Sequence, residues 1–199
     1  MRHRSFAMFS VGLSAMVVAS GARAHPHVFI DDAMTVIFGD RDIAGLRMSW
    51  TFDEMYSSMI RTDYVRGKTM TPAEVKKIEK ENFLNLENYG FFLDLTINGA
   101  PVKVKAVTDF DAKFQGNKIV FEFTVPLQTT ERKDANVIEA RVFDPEYYVE
   151  FAMRQTDPIA IEHGEHFSTS CNVVRNEPKV SMLGPVNTDR ATCSYALKP

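Results

Sequence analysis

The sequence predicts a mainly β (α+β) protein, an antiparallel, sandwich-like β domain with a two-helix insertion at about residues 52–90. Three observations favour this class. Apolar and polar residues alternate along residues 118–125, so that Ile119, Phe121 and Phe123 share one face of a strand. Asn98-Gly99 is typical of a two-residue turn between paired strands. Helical periodicity, by contrast, is confined to the segment between the second strand and residue 90.

The first 24 residues have the layout of a cleavable signal peptide. A short basic head is followed by an apolar run at residues 6–19, and Ala22 and Ala24 stand at the −3 and −1 positions. The apolar run is too short to span a bilayer well. We therefore predict a signal peptide at 1–24 and a periplasmic mature chain at 25–199 that forms a single β-rich domain.

Composition narrows the classes of function. The full chain has 199 residues, with 23 Lys and Arg against 26 Asp and Glu. Removal of Arg2, Arg4 and Arg23 with the leader would leave 20 basic residues and a net charge of about −6. Such a surface does not favour nucleic acid. After the leader, no apolar run is long enough to predict a transmembrane segment.

The first half of the mature chain is predicted to form two strands and two helices. Residues 27–38 and 43–50 are β-branched and aromatic, and we expect them to pair antiparallel through the turn at 39–42. Thr51 and Glu54 have capping-box spacing before a first helix. Thr71, Pro72 and Glu74 form a strong start for a second helix, which we expect to run to about residue 88 before Gly90.

The second half is predicted to consist of β-strands. Strands are predicted at 91–97, 102–107, 118–125, 137–143, 147–153, 159–162 and 169–174. The remaining residues form a tail. Cys171 and Cys193 are the only cysteines, and in an oxidising compartment we expect one disulfide that ties this tail to the body. A thiolate metal site is the minor alternative.

The start of the mature chain is a candidate metal site. Cleavage after Ala24 would give His25 both an α-amine and an imidazole, and in an extended segment His25, His27 and Asp31 share one face. Nitrogen donors with a carboxylate suit a divalent transition metal such as Zn, Ni, Co or Cu. Pro26 excludes a square-planar mode that needs a backbone amide at the second residue. The alternative is a solvated terminus.

Further donors lie elsewhere in the chain. Asp53 is a second candidate carboxylate, with the alternative that Asp53 and Glu54 stabilise a helix start. His163 and His166 flank Gly164 on a predicted loop that could close on the same ion as His25 and His27. An exposed polar turn is the alternative reading of this loop.

A non-metal ligand or a partner protein is the second candidate class. A groove for it would be formed by aromatic and acidic residues, namely Trp50, Phe52, Glu54, Asp144, Tyr147 and Tyr148. We find no nucleophile elbow, phosphate-binding glycine loop or catalytic cysteine arrangement, so we do not predict an enzyme. A copper enzyme that uses an N-terminal histidine is the remote alternative.

Three runs together resemble the DUF1007 family: AHPHVFID at residues 24–31, WTFDE at 50–54 and FDPEYYV at 143–149. The resemblance implies a small exported protein, of the kind described as the periplasmic component of an uncharacterised ABC-type transport system and associated with nickel/cobalt-type permeases. It implies a periplasmic accessory to metal transport that works with an inner-membrane metal permease or ABC-type transporter. His163 and His166 lie outside the three runs.

Overall fold

The computed structural model describes residues 26–127 and 135–199. The predicted signal peptide and His25 lie outside these ranges. Two β-sheets form the body of the protein, and the helical segment follows the second strand. The predicted mainly β (α+β) class is therefore confirmed.

Sheet A has the strand order β5-β6-β2-β1-β8, and β9 also pairs with β1. β1 and β2 pair antiparallel as expected, but β8 and β9 both run parallel to β1, so this sheet is mixed and not purely antiparallel. Its strands are β1 (Val28–Phe38), β2 (Ile43–Phe52), β5 (Thr108–Gln115), β6 (Lys118–Pro126), β8 (Val149–Met153) and β9 (Ile159–Glu162).

Sheet B has the strand order β10-β11-β7-β3-β4. Asn98 and Gly99 form the predicted turn, and both have positive φ, at 53° and 79°. The strands are β3 (Leu93–Ile97), β4 (Ala100–Val102), β7 (Asn136–Val142), β10 (Phe167–Ser181) and β11 (Gly184–Leu197).

The prediction of a C-terminal tail was wrong. These residues form β11, a 14-residue strand that pairs with β10 on one side and β7 on the other. Cys171 and Cys193 do form a disulfide, and they are direct cross-strand partners. The bond therefore fastens two paired strands together. Only Ala191–Tyr195 of β11 pairs with β7, so the far half of the β10–β11 hairpin forms a separate two-stranded arm.

The helical insertion begins where β2 ends. Helix α1 (Glu54–Tyr64) is capped by Asp53 and not by Thr51, because Asp53 Oδ1 accepts the Tyr56 N–H at 2.8 Å. Helix α2 (Pro72–Ile78) has the predicted capping box between Thr71 and Glu74. It ends earlier than expected and continues as a π-helical turn (Glu79–Phe83) and a 3₁₀ segment (Leu84–Phe92).

The core is rich in aromatic side chains. Trp50 is 1% exposed and meets Phe123 and Phe151 at ring-centroid distances of 4.9 and 5.2 Å. Ser57 Oγ joins α1 to sheet A, since it donates to the Asp53 carbonyl and accepts the Ile119 N–H. None of the described helices is long and apolar enough to cross a membrane.

Candidate functional site

His27 lies at the surface immediately before β1. Its N–H donates to the Tyr148 carbonyl at 2.9 Å, and its imidazole packs on the Tyr148 ring at 4.9 Å between centroids. β1 begins, β2 and β7 end, and β8 begins at this end of the sandwich, which we call the His27 end. The backbone before β1 is thus held at the surface, and His25 would precede it directly.

Asp31 lies two pleats along β1 from His27. Both residues are exposed on the outer face of sheet A, as strand alternation predicts. The Asp31 carboxylate lies 3.8 Å from the Lys118 ammonium, with its side chain 56% exposed. It is therefore a weakly paired carboxylate that is open to solvent.

Asp53 is committed to structure. While Oδ1 caps α1, Oδ2 accepts the Phe29 N–H at 2.8 Å, and the Asp53 N–H donates to the Phe29 carbonyl. Both carboxylate oxygens are engaged by backbone donors that fasten the start of β1 to the start of α1. This geometry favours the helix-capping interpretation over a metal ligand.

Glu150 is a carboxylate that we did not select from the sequence. It stands opposite Phe29 in the parallel β1–β8 pair and so shares the outer face with His27 and Tyr148. Its Oε2 accepts the Tyr147 hydroxyl at 3.3 Å. Burial, followed by this carboxylate, raises the pKa of Tyr147. Only the parallel register of β8, which no local pattern encodes, places Glu150 at the His27 end.

The structure separates His163 and His166 from His27. β9 runs parallel to β1 and ends with Glu162 opposite Ile37, so the histidine loop follows the far end of β1. About ten residue steps of strand, or roughly 33 Å, lie between the two ends. The expectation that these imidazoles share an ion with His25 and His27 was therefore wrong. We call this opposite end the His163 end.

The histidine loop is also packed more firmly than Gly164 suggested. A Cβ at residue 164 would lie 2.5 Å from Ile161 Cγ2, and the Gly164 carbonyl accepts the Phe167 N–H. His163 adopts a left-handed φ of 58° and lies 3.8 Å from Glu162. Across the two described ranges, no group of three or more His, Cys, Asp or Glu side chains is placed to hold a metal ion.

The predicted aromatic groove does not form. Trp50 and Phe52 are 1% and 5% exposed and belong to the core, because strand alternation turns both toward the second sheet. Glu54 is exposed in the first turn of α1. Of the four aromatic residues predicted to line the groove, Tyr148 is the one that is largely exposed, at 56%.

Asp144 organises the loop between β7 and β8. Its side chain is buried, Oδ1 accepts the Glu146 N–H, and Oδ2 accepts the Tyr148 and Val149 N–H groups at 2.9 and 3.0 Å. The loop turns through Tyr147, whose φ is 57°. Asp144 thereby fixes the position of Tyr148, against which His27 packs.

Asp32, the neighbour of Asp31, faces the core. It is 2% exposed, and its Oδ2 receives no hydrogen bond from any described residue. Burial, followed by the nearby Asp189 carboxylate, raises its pKa from 3.8 to about 7, although the Arg175 guanidinium opposes the shift.

Arg175 and Asp189 join the two sheets beside Asp32. Their side chains are 2.7 Å apart, Asp189 Oδ2 accepts the Met153 N–H, and Arg175 donates to the Met153 carbonyl at 2.5 Å. Met153 stands opposite Asp32 in the β1–β8 pair. The buried carboxyl of Asp32 therefore borders an ion pair that closes one side of the sandwich.

A family model described as a protein of unknown function, DUF1007, matches residues 10–184. The chain belongs to the DUF1007 family. It is also similar to an uncharacterized protein of Haemophilus influenzae, with 29% identity over 170 residues that cover 84% of this chain and 80% of that protein.

The three runs that carry the DUF1007 resemblance meet at the His27 end. The Phe29 N–H binds Asp53, which joins the first run to the second, and the His27 N–H binds the Tyr148 carbonyl, which joins the first to the third. Segments far apart in the sequence thus surround the first described histidine.

Proposed function

We propose that this DUF1007 protein is a periplasmic accessory of a divalent-metal transport system, of nickel/cobalt or zinc type, and that it binds its metal at the His27 end. The observation that carries the proposal is the convergence of the three family runs on His27, a surface imidazole two residues after His25 in the sequence. Exposed imidazole, a terminal amine and an open carboxylate are donors that suit Zn, Ni, Co or Cu.

His25 and His27 would hold the metal in this proposal. Asp31 and Glu150 are the carboxylates on the same face that would complete or orient the site. Asp53 takes no part, since backbone N–H groups engage both of its oxygens, and His163 and His166 lie at the other end of the sheet. The metal is the cargo, and the chain supplies donors and a fixed surface around them.

Metal content of the mature protein, purified without an N-terminal tag, tests the proposal. We expect near-stoichiometric Zn, Ni, Co or Cu in the wild type and little in the His25→Ala, His27→Ala double variant. The matched control, His163→Ala with His166→Ala, also loses two imidazoles but should keep the metal. Equal metal loss in both double variants, or no uptake by the wild type on titration, would refute the proposal.

One extra residue before His25 provides a second test. It leaves every side chain in place but moves the α-amine away from the first imidazole. We expect affinity to fall at least about tenfold, in the range seen when a metal site loses a supporting group. Unchanged affinity would remove the terminal amine from the site.

The second candidate is a periplasmic binding module for a non-metal ligand or partner protein of an ABC-type transport system. The burial of Trp50 and Phe52 removes the groove on which that idea was based. The exposed Tyr148 ring is the observation that still favours it. Partner binding that survives both chelation and the His25→Ala, His27→Ala double variant would favour this candidate.

A further inference from the structure

Exposed apolar side chains are concentrated at the His27 end. Eleven large apolar side chains are exposed in the described ranges, and seven of them belong to segments that meet at this end. We call five of these the apolar end surface: Phe29 at 50% exposure, Met55 at 69%, Tyr148 at 56%, Met182 at 77% and Leu183 at 57%. Clustered apolar exposure with a polar rim marks interaction sites, whereas scattered single residues do not.

Hydrogen bonds connect the first part of this surface. The tip of the β10–β11 arm reaches the loop before β8, where the Met182 N–H donates to the Pro145 carbonyl at 2.8 Å. Asp144 holds the same loop to Tyr148, and the Tyr148 ring packs on His27. Met182, Leu183 and Tyr148 are therefore neighbours in space.

The second part of the apolar end surface includes Phe29 of β1 and Met55 of α1. Phe29 is two residues beyond His27 on the same outer face, and it exchanges two hydrogen bonds with Asp53. Met55 lies in the first turn of the helix that Asp53 caps. The apolar end surface thus continues from the arm tip across the start of β1 to the start of α1.

The arm is fastened in place at this end. Lys179 pairs with Asp94 of β3 at 2.6 Å, and Glu177 pairs with Arg141 of β7, which is only 8% exposed. These contacts lay the distal half of the hairpin over the outer face of sheet B. The apolar tip is therefore presented in a fixed position, which lowers the entropy cost of binding.

The rim of the surface is acidic. Glu54 and Glu146 are exposed, and neither forms an ion pair with any described side chain. The basic side chains Lys118 and Lys179 at this end lie 3.8 Å from Asp31 and 2.6 Å from Asp94, respectively. Complementary potentials select the partners of such a surface.

We propose that the apolar end surface docks a protein whose contact face is apolar and carries Lys and Arg at its periphery. A second copy of this chain would place the acidic rims against each other, and an anionic bilayer would also repel them. The inference goes beyond the proposed function, because it requires no metal. Since His27 packs against Tyr148, a docked partner would nevertheless lie beside the candidate metal donors.

Site-specific photo-cross-linking of the full chain in its native host tests this proposal. A photo-reactive phenylalanine analogue is placed at Met55 or Met182, and at Val137 or Ile161 as matched controls. The control residues are exposed and apolar but belong to the His163 end. We expect both test positions to yield an adduct with the same protein, at a peptide rich in apolar residues and in Lys or Arg, and the controls to yield at least about tenfold less.

Charge reversal provides the second measurement. Glu54→Lys with Glu146→Lys should reduce the adduct at Met182 at least about tenfold, because like charges would then face each other across the interface. Glu165→Lys, an exposed change at the His163 end, should leave the yield unchanged.

Four outcomes would overturn the inference: adducts with a second copy, adducts with lipid, adduct yields equal to those of the controls, or adduct yields that charge reversal does not change. Metal content measured in the same samples separates the two proposals. Lost metal with a normal adduct refutes the proposed function alone, and a missing adduct with normal metal refutes the docking surface alone.

Discussion

Replacing Asp32 with Asn should make the protein more stable at neutral and alkaline pH. The Asp32 carboxyl is buried, and its pKa rises from 3.8 in an ordinary setting to about 7 in the fold. A carboxyl with a raised folded-state pKa binds its proton more tightly in the folded chain than in the unfolded chain. The contribution of Asp32 to folding stability is therefore constant below about pH 4, falls between pH 4 and 7, and is constant again above pH 7.

The difference between a pKa of 3.8 and one of about 7 corresponds to about 4 kcal/mol of unfolding free energy. Asn has nearly the same shape and cannot ionise. We therefore expect Asp32→Asn to match the wild type near pH 4 and to exceed its stability by up to about 4 kcal/mol at pH 8.

Urea unfolding of both proteins at several values between pH 4 and 8.5 measures this difference. Asp31→Asn is the matched control, since Asp31 is the next residue along β1 but is exposed on the opposite face. Its curve should run parallel to that of the wild type. A difference between wild type and Asp32→Asn that stays constant with pH, or that favours the wild type as pH rises, would refute this account of the buried carboxyl.

Three other substitutions test structural roles by urea unfolding. Asp144→Ala leaves three backbone N–H groups without their acceptor and should cost about 3 kcal/mol, while Asp144→Asn should cost less because one oxygen remains. Asp53→Ala should lower the free energy of unfolding by about 1–2 kcal/mol, because the helix cap is lost, and it should leave the metal content unchanged. Loss of metal without loss of stability would instead indicate that Asp53 is a ligand. Cys171→Ser with Cys193→Ser opens a loop of 22 residues and should cost about 3 kcal/mol. Reduction of the disulfide in the wild type should lower the free energy of unfolding by the same amount. A larger loss in the double variant would indicate lost packing at Cys193.

Short sequence motifs correctly predicted one turn and one helix start. The turn at Asn98-Gly99 requires two residues that tolerate positive φ, and the box between Thr71 and Glu74 requires two specific side chains, so both could be recognised from the sequence. The first helix was harder to place. Thr51 has the right spacing to cap it, but β2 continues through Phe52 and Asp53 takes the capping position.

Sites that depend on distant pairing could not be predicted. Glu150 lies in β8, and His163 directly follows β9. Both strands run parallel to β1, and only their register places His163 far from His27 and Glu150 beside it. Alternation correctly grouped His27 with Asp31. The same alternation turns Asp32 inward, but a buried carboxyl becomes recognisable only when Arg175 and Asp189 arrive from the other sheet.

The position of β1 inside sheet A has a consequence for how the chain folds. The first strand of the described chain lies between β2 and two strands, β8 and β9, that follow it by about 120 residues, so half of its backbone partners are distant along the chain. Topologies dominated by such non-local pairing fold slowly, in milliseconds to seconds. During synthesis one edge of β1 therefore stays unpaired until β8 and β9 have been made.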